Sequence, residues 1–333
     1  MTTVSLEALR SLIAGILERH DTAPHVAEVV ARALAAAEAD GQKGHGASRV
    51  PSYAGQAASG KVDGHAEPKL QVLSDSAAVV DAHQGFAYLA LALAQDWLRE
   101  ALKASPVAAV SIRNSHHSGV AAHHVEPLAE DGFLALSLGN GPQAIAPWGG
   151  NKGLFGTNPL GFAAPRDGKP PLVIDMSLSK VARGKINVAA QAGESIPEGW
   201  AFDASGAPTT DPQAAMDGTM APMGDAKGAQ LVLMVEIMAA ALSASCFGFE
   251  ASSFFKADGP APRVGQFLLG VNPEPFSGGL FGARLEDLIG EIEAQPGARL
   301  PGMKRLVARE AAERDGLALP DALHAELLAL SEA

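Results

Sequence analysis

Val107-Ala-Ala-Val-Ser-Ile-Arg-Asn-Ser-His-His-Ser-Gly-Val-Ala-Ala-His-His-Val-Glu-Pro-Leu-Ala-Glu-Asp-Gly-Phe-Leu-Ala-Leu-Ser-Leu138 decides the fold. Val107–Ile112 and Phe133–Leu138 are apolar runs of strand length, and Gly119–Asp131 between them reads as a helix. Strand, helix and strand at that spacing predict a βαβ crossover, hence a parallel or mixed sheet. Arg113–Gly119 joins the first strand to its helix. Ligands in open α/β sheets gather at the carboxyl ends of strands, so this junction is a candidate site.

On the amino side, Val79–Ala82 reads as a short strand and Gly85–Lys103 as a long Ala/Leu helix, with Gly60–Pro68 a polar turn region before them. Ser5–His20 places Leu6, Leu9, Leu12, Ile13, Ile16 and Leu17 at helical spacing, with Ser5 as N-cap. Thr22–Ala39 follows, and the two helices form a hairpin leading into Lys43–Tyr53. On the carboxyl side, Gly139–Pro165 is a Gly- and Pro-rich loop of the length that usually carries function. Leu172–Met176 is a strand, and Ser177–Ala192 begins as a helix. Glu194–Met223, with four prolines and few aliphatic residues, reads as a surface excursion and not a sheet. Lys227–Ser245 is a strongly apolar helix and Val264–Val271 a strand. Arg284–Ala294, Lys304–Asp315 and Pro320–Leu330 close the chain as helices.

A chain of 333 residues points to more than one lobe, and 47% hydrophobic residues supply a large core. The net charge of −12 argues against nucleic-acid and anionic-membrane partners. The single cysteine, Cys246, supports neither an intrachain disulfide nor a cysteine-rich metal site. Glu7, Arg10, Glu18 and Arg19 break up any secretory signal, and Leu231–Ala244 is too short to span a bilayer and contains Glu236. The expectation is a cytoplasmic protein.

Lys43-Gly-His-Gly-Ala-Ser-Arg-Val-Pro-Ser-Tyr53 carries the chemistry. Gly44 and Gly46 leave the His45 imidazole uncrowded, and an unperturbed histidine titrates near neutrality, as a proton donor must. Arg49 presents a planar fork for a carboxylate, and Pro51 stiffens the exit. Neither a Gly-x-Gly-x-x-Gly fingerprint nor a Gly-x-x-x-x-Gly-Lys-Ser/Thr loop occurs, which disfavours an ordinary Rossmann domain or nucleotide hydrolase. His116, His117, His123 and His124 lack a carboxylate at metal-ligand spacing, so no metal site is read. His116 or His117 at a helix N-terminus suits a phosphate or carboxylate instead. Asp175 ends a strand, and Lys227 at the start of the apolar helix could meet phosphate through charge and dipole together.

Together these stretches resemble one family, the type-2 malate/L-lactate dehydrogenases, NAD(P)-dependent reductases of 2-oxo acids and cyclic imino acids. The resemblance runs from about Leu6 to Arg309, and its anchors are His45-Gly46-x-x-Arg49-x-Pro51-x-Tyr53, Arg113-x-Ser115-His116-His117, Phe155-Gly156-Thr157-Asn158-Pro159, Ile174-Asp175-Met176 with Arg183-Gly184-Lys185, Ile196-Pro197-Glu198-Gly199-Trp200, Pro208-Thr209-Thr210-Asp211-Pro212 and Lys227-Gly228. The resemblance implies an α/β fold that is not a Rossmann fold, with an unusual NAD(P)-binding mixed sheet and a helical domain built from both chain ends. It implies a homodimer, NADPH or NADH as cofactor, and a small carboxylate as substrate. Approximate domains follow: 1–70 a helical substrate segment, 71–120 with 225–280 a substrate and dimerisation core, 121–224 the cofactor region, and 281–333 helices packing on the first segment. By the same resemblance His45 is the proton donor, and Arg49 with Thr157 binds substrate. Cofactor contacts are His117, Ser118, Gly119, Val120, Ala121, Thr157, Asp175, Met176, Ser177, Arg183, Gly184, Lys227, Arg299, Pro301, Gly302 and Met303.

Within the family, Ala58–Gly64 and the stretches Cys246–Glu250 through Gly265–Leu268 are similar to the cyclic imino-acid reductases. Two positions differ. The family has Ser before the histidine where this chain has Gly44, and the imino-acid reductases have Asp where it has Lys185. A serine–histidine–aspartate relay is therefore absent, with Ser48 or a water left as candidates for the hydroxyl. The expected activity is NAD(P)H-dependent reduction of Δ1-pyrroline-2-carboxylate or Δ1-piperideine-2-carboxylate. A linear 2-hydroxy-acid dehydrogenase is the alternative, and a non-catalytic metabolite-binding relative the third reading.

Overall fold

The structure is a computed structural model that describes residues 1–332, apart from the Gln191 side chain. Its frame is a seven-stranded sheet. In chain order the strands are β1 (Lys69–Ser74), β2 (Ala77–Asp81), β3 (Val107–Ser115), β4 (Leu134–Gly139), β5 (Leu160–Ala164), β6 (Leu172–Met176) and β7 (Val264–Val271). They lie side by side as β1-β2-β3-β7-β4-β5-β6. Only β2 and β3 pair in parallel; every other neighbouring pair is antiparallel.

The crossover read from Val107–Leu138 is present with one strand inserted. β3 and β4 both run antiparallel to β7, so they are parallel to each other with β7 between them. The composition of β7 explains its place: Val-Gly-Gln-Phe-Leu-Leu-Gly-Val is buried along almost its whole length. Gly270 has no room for a side chain, because a Cβ there would stand 2.4 Å from Leu102 Cδ1.

Helices α1 (Leu6–Arg19), α2 (Pro24–Ala39) and α3 (Val50–Ala58) precede the sheet. Helices α4 (Ala87–Ala104) and α5 (Ala122–Glu130) cover one face, where Leu91, Leu98 and Leu102 meet Val110, Ile112, Val125, Leu128 and Leu268. Helix α6 (Arg183–Ala192) and helix α7 (Asp225–Glu236) belong to the opposite layer, where Ile186, Val232 and Val235 share a core with Leu138, Ile145, Leu178 and Phe267. Helices α8 (Phe281–Glu293), α9 (Met303–Asp315) and α10 (Asp321–Glu332) close the described chain. Leu327 of α10 and Ala312 of α9 join Leu9, Ile13, Val30 and Leu34 in a third core, and Thr2–Val4 pairs with Leu317–Leu319. A buried ion cluster fastens α9 to the amino-terminal part. Arg309 and Arg305 hold Asp40 and Glu126, and His123 also bonds Asp40.

Four expectations need correction. Glu194–Met223 does contain a sheet: Ala201–Phe202, Pro208–Thr209 and Thr219–Met220 pair, with Ala201 and Met220 buried. Strands of two residues carry no period-2 pattern, so composition alone hides them. The segment from Ser177 is helical only from Arg183, because the Leu178 amide bonds Thr157 O and the Lys180 amide bonds Ala221 O. The α-helix from Lys227 gives way after Glu236 to a π-turn over Ile237–Ala241. β1 and β5 were not expected; β1 is a largely exposed edge strand, and β5 follows the Gly- and Pro-rich loop.

Candidate active site

The chain leaves α2 through Gly41 at φ +75° and forms a 3-10 turn, Lys43–His45. Gly46 is required next, since a Cβ would stand 2.3 Å from Glu38 Oε2, which accepts the Ala47 amide at 3.0 Å. Gly44 is different. A Cβ there meets nothing within 4 Å, so a serine would fit. Ser48 does not replace it, because its hydroxyl donates to Lys43 O at 2.6 Å.

His45 instead meets His117. Its Nδ1 lies 3.2 Å from His117 Nε2, with the rings parallel to within 9°. His117 Nδ1 is 2.6 Å from Tyr53 Oη, which is 3.2 Å from Tyr88 Oη. Burial, helped by the nearby Arg49 charge and by His123, pulls His45 down to about 4. The near-neutral value expected from the glycine-flanked sequence is thus corrected: a ring enclosed without a carboxylate partner holds its charge poorly. The same burial, with Arg49, also holds His117 well below its ordinary value.

Arg49 donates from Nε to Gly44 O at 2.7 Å, and its Cζ sits 4.4 Å over the Phe255 ring. Its Nη1 is buried with no partner among the described residues. Phe254 packs against both His116 and His117, at ring distances of 5.5 and 5.2 Å. Both aromatics sit on a loop that three side chains tie down. Lys61 Nζ donates to the carbonyls of Ser253, Lys256 and Asp258 at 2.8, 2.9 and 3.0 Å. Ser59 Oγ donates to Ala257 O, and Gln56 Nε2 to Phe254 O. Gln56 Oε1 also bonds His116 Nε2 at 2.7 Å. Gln56, Lys61, Phe254 and Phe255 were not named as site residues. The available signal was that the Ala58–Gly64 and Cys246–Leu268 regions shared a resemblance; the structure shows them in contact.

The residues expected to meet a cofactor cluster in part. His117–Ala121 leads from the carboxyl end of β3 into α5. Ser118 O is bonded by His124 Nε2 at 2.8 Å, and Gly119, at φ +70°, lies where a Cβ would stand 2.7 Å from Tyr88 Oη. Val120 and Ala121 are buried. Asp175 Oδ2 accepts the Ala122 amide at 3.1 Å, and burial raises its carboxyl above the usual range. Met176 pairs with Leu160, and Thr157 O accepts the Leu178 amide beside Ser177, whose hydroxyl lies 3.0 Å from that of Ser179. These segments share one end of the sheet, at the carboxyl ends of β3, β4 and β6.

Arg183 and Gly184 open α6, and Lys227 is exposed in the first turn of α7. Arg299, Pro301 and Met303 are exposed beyond the β6 edge, and Gly302 abuts Val173 O. Among the described residues no hydrogen bond joins Arg299–Met303 to the His45 group.

The start of α6 fits an anionic cofactor. No side chain caps it, the Lys185 amide turns back to Ala182 O at 3.0 Å, and Arg183 and the exposed Lys185 sit in its first turn. Cations at a helix N-terminus oppose the macrodipole, and an anion bound there reconciles them. The other histidines are engaged within the fold, His123 with Asp40 and His124 with Ser137 and Ser118. Among the described residues no three His, Cys, Asp or Glu side chains are grouped to hold a metal.

Comparison with known proteins places the chain among the oxidoreductases. The malate/L-lactate dehydrogenase family matches residues 4–328. A (2R)-3-sulfolactate dehydrogenase (NADP(+)) of Chromohalobacter salexigens is 48% identical over 327 residues, 98% of this chain and 97% of its own. A Δ1-pyrroline-2-carboxylate/Δ1-piperideine-2-carboxylate reductase of Pseudomonas putida is 40% identical over 319 residues, 96% of this chain and 94% of its own. The crystal structure of a Δ1-piperideine-2-carboxylate reductase from Pseudomonas syringae superposes with a TM-score of 0.93 at 37% identity, covering 99% of this chain and all of that one. The chain belongs to the malate/L-lactate dehydrogenase family, and a nicotinamide cofactor goes with that membership.

Proposed function

We propose that the protein reduces a small cyclic 2-imino carboxylate, of the Δ1-pyrroline-2-carboxylate or Δ1-piperideine-2-carboxylate type, with NADPH or NADH. The observation that carries this reading is the buried, unpartnered Nη1 of Arg49 beside His45, under the Phe254–Phe255 wall. A buried donor without an acceptor is costly, and a substrate carboxylate supplies one. The Phe254 ring packed against His117 suits an apolar ring. A nicotinamide held on the cofactor side would supply hydride to C2 of the substrate. His45 gives a proton to the adjacent nitrogen, and Arg49 holds the carboxylate. Thr157, His117–Ala121 and Asp175–Ser177 line the cofactor side, Arg183, Gly184 and Lys227 meet its phosphates, and Arg299–Met303 its far end.

Lys185 bears on the choice of substrate. A lysine beside a protonated imine would oppose its charge, whereas it would help a ketone. Lys185 is exposed at the start of α6, and the charges acting on His45 are those of Arg49 and His123. This placement suits a cofactor phosphate and leaves the imine reading intact. The second reading, a 2-hydroxy-acid dehydrogenase, is favoured by the 48% identity to a sulfolactate dehydrogenase. A homodimer in the cytoplasm completes the proposal.

The test is a panel of cyclic imines, pyruvate, oxaloacetate and sulfopyruvate, read at the reduced-nicotinamide absorbance. We expect the cyclic imines to be reduced with the highest kcat/KM. His45→Gln should keep cofactor affinity and lose about 10²–10⁴-fold in turnover, as for a general acid. Efficient reduction of sulfopyruvate with no reaction of either imine would promote the second reading.

A further inference from the structure

Three backbone segments that serve the candidate site touch one another directly. A Cβ on Gly156 would stand 2.5 Å from Gly141 O, and one on Gly248 would stand 2.7 Å from Leu154 O, 2.8 Å from Gly156 N and 2.9 Å from Gly141 O. Beyond this junction the segments part. Gly141 follows β4 and lies against Phe254, whose ring a Cβ there would meet at 3.2 Å. Gly156 leads into Thr157, and Gly248 leads into the loop that carries Phe254 and Phe255.

Glu236, at the end of α7 where the π-turn begins, is 2% exposed and bonds to all three segments. Its Oε1 accepts Asn140 Nδ2 at 3.1 Å and the Gly248 amide at 2.7 Å, and its Oε2 accepts Asn158 Nδ2 at 2.8 Å. The two asparagines reach further. Asn140 Nδ2 also donates to Cys246 O and its Oδ1 accepts the Gly265 amide, while Asn158 Nδ2 also donates to Val232 O. Asn158 is held at φ +40°, in the left-handed region that glycine tolerates best. All three donors to Glu236 are uncharged. Burial raises its carboxyl above the usual range, with Glu250 adding to this, and the three hydrogen bonds oppose it. An enclosed charge without a cation costs stability. What this one supplies is a fixed meeting of three stretches of chain.

We propose that Glu236 is a positioning residue for the reaction: it fixes the Thr157 segment, on the cofactor side, against the loop that carries Phe254, on the substrate side, and so sets the distance over which hydride passes. The inference rests on the reductase reading given above. Each half of the site keeps supports of its own. Lys61, Gln56 and Ser59 hold the aromatic loop, Gly44 O holds Arg49, and Thr157 O holds the Leu178 amide. Glu236 adds the relation between the halves, since Oε2 faces the Thr157 segment and Oε1 the Gly248 segment. Reacting atoms must lie within about 3–3.5 Å of each other, and a misplacement of about 1 Å can cost about 10²-fold in rate.

Glu236→Gln keeps the shape and leaves one carbonyl oxygen in place of two. Whichever way its amide lies, an N–H group faces either Asn158 Nδ2 or the Gly248 amide, and one half is released. The comparison uses the panel substrate that wild type reduces fastest. We expect the single-turnover rate of nicotinamide oxidation at saturation to fall about 10- to 100-fold, while substrate KM and cofactor Kd by calorimetry change by less than about threefold. In the free protein, amide exchange should quicken together over 140–143, 156–158 and 246–250 and stay unchanged in α1 and α2. A residue that serves stability alone would lower the urea midpoint and leave the single-turnover rate at its wild-type value, and that result overturns the inference. A cofactor Kd weakened by the same factor as the rate also overturns it, because one half would then be damaged and not merely displaced. If Glu236→Gln does not fold, Asn158→Gly decides: glycine accepts φ +40° and removes the bond on the Thr157 side. It should give the same split between rate and affinity, and wild-type transfer there overturns the inference. A wild type that reduces no member of the panel would remove the reductase reading and this inference with it, an outcome separate from that of either variant.

Discussion

Arg49 is held at three points before any substrate arrives: the Gly44 carbonyl, the Phe255 ring and the helix that follows it. Its buried Nη1 remains to be satisfied. A lysine would keep the charge but lose the fork, the bond to Gly44 and the stacking. Arg49→Lys should therefore raise KM for the carboxylate substrate and lower kcat/KM by about 10- to 100-fold, the equivalent of one charge-assisted hydrogen bond. Cofactor affinity measured by calorimetry should not change; a matching loss there would show that Arg49 serves the cofactor instead. His45 and Arg49 were legible because their spacing lies within one short motif. The state of His45 was not, because its low proton affinity comes from burial beside His117 and Arg49, and His117 lies 72 residues away.

The loop carrying Phe254 and Phe255 depends on Lys61, a buried ammonium facing three carbonyls. Those carbonyls have one donor in common, so replacing it releases all three. Lys61→Met should cost about 1–3 kcal/mol, the usual penalty for orphaned buried groups. Amide exchange should quicken over residues 251–262, and kcat/KM should fall while the far-ultraviolet spectrum stays native. Unchanged exchange in that segment would show that Ser59 and Gln56 hold the loop without it. Sequence marked Ala58–Gly64 and Cys246–Leu268 as related but could not join them, since the contacts span more than 190 residues. The strands that were legible, Leu172–Met176 and Val264–Val271, are apolar runs bounded by turns. β1, whose Lys69, Gln71 and Ser74 face solvent, had no such signal.

Across the molecule, four enclosed histidines set the response to acid. Burial holds His45 and His124 near 4, His116 near 3 and His117 well below its ordinary value. An unfolded histidine takes its proton near pH 6.5, so between that value and about 4 the unfolded chain binds more protons than the native one. Their contribution is complete above pH 6.5 and is lost as pH falls toward 4. Burial also raises Glu38, Asp175 and Glu236, which act in the opposite sense above pH 4.5. Burial pushes Asp40 up as well, but hydrogen bonds from His123 and Arg309 outweigh it, so the cluster fastening α9 keeps its charge throughout this window. With four histidines against three acids, the urea midpoint should fall between pH 7 and pH 4.5. A midpoint that holds or rises would show the acids dominate.

The place of β7 also governs how the chain is made. Gly139, the end of β4, and Val264, the start of β7, are 125 positions apart, 264 minus 139. During synthesis β3 and β4 emerge long before the strand that must lie between them. Until Val271 is out, each presents an unpaired apolar edge. Pairings of such long range are slow to form, and waiting edges invite association with other chains. A nascent chain of this fold therefore passes through its most vulnerable stage after most of its residues have been translated.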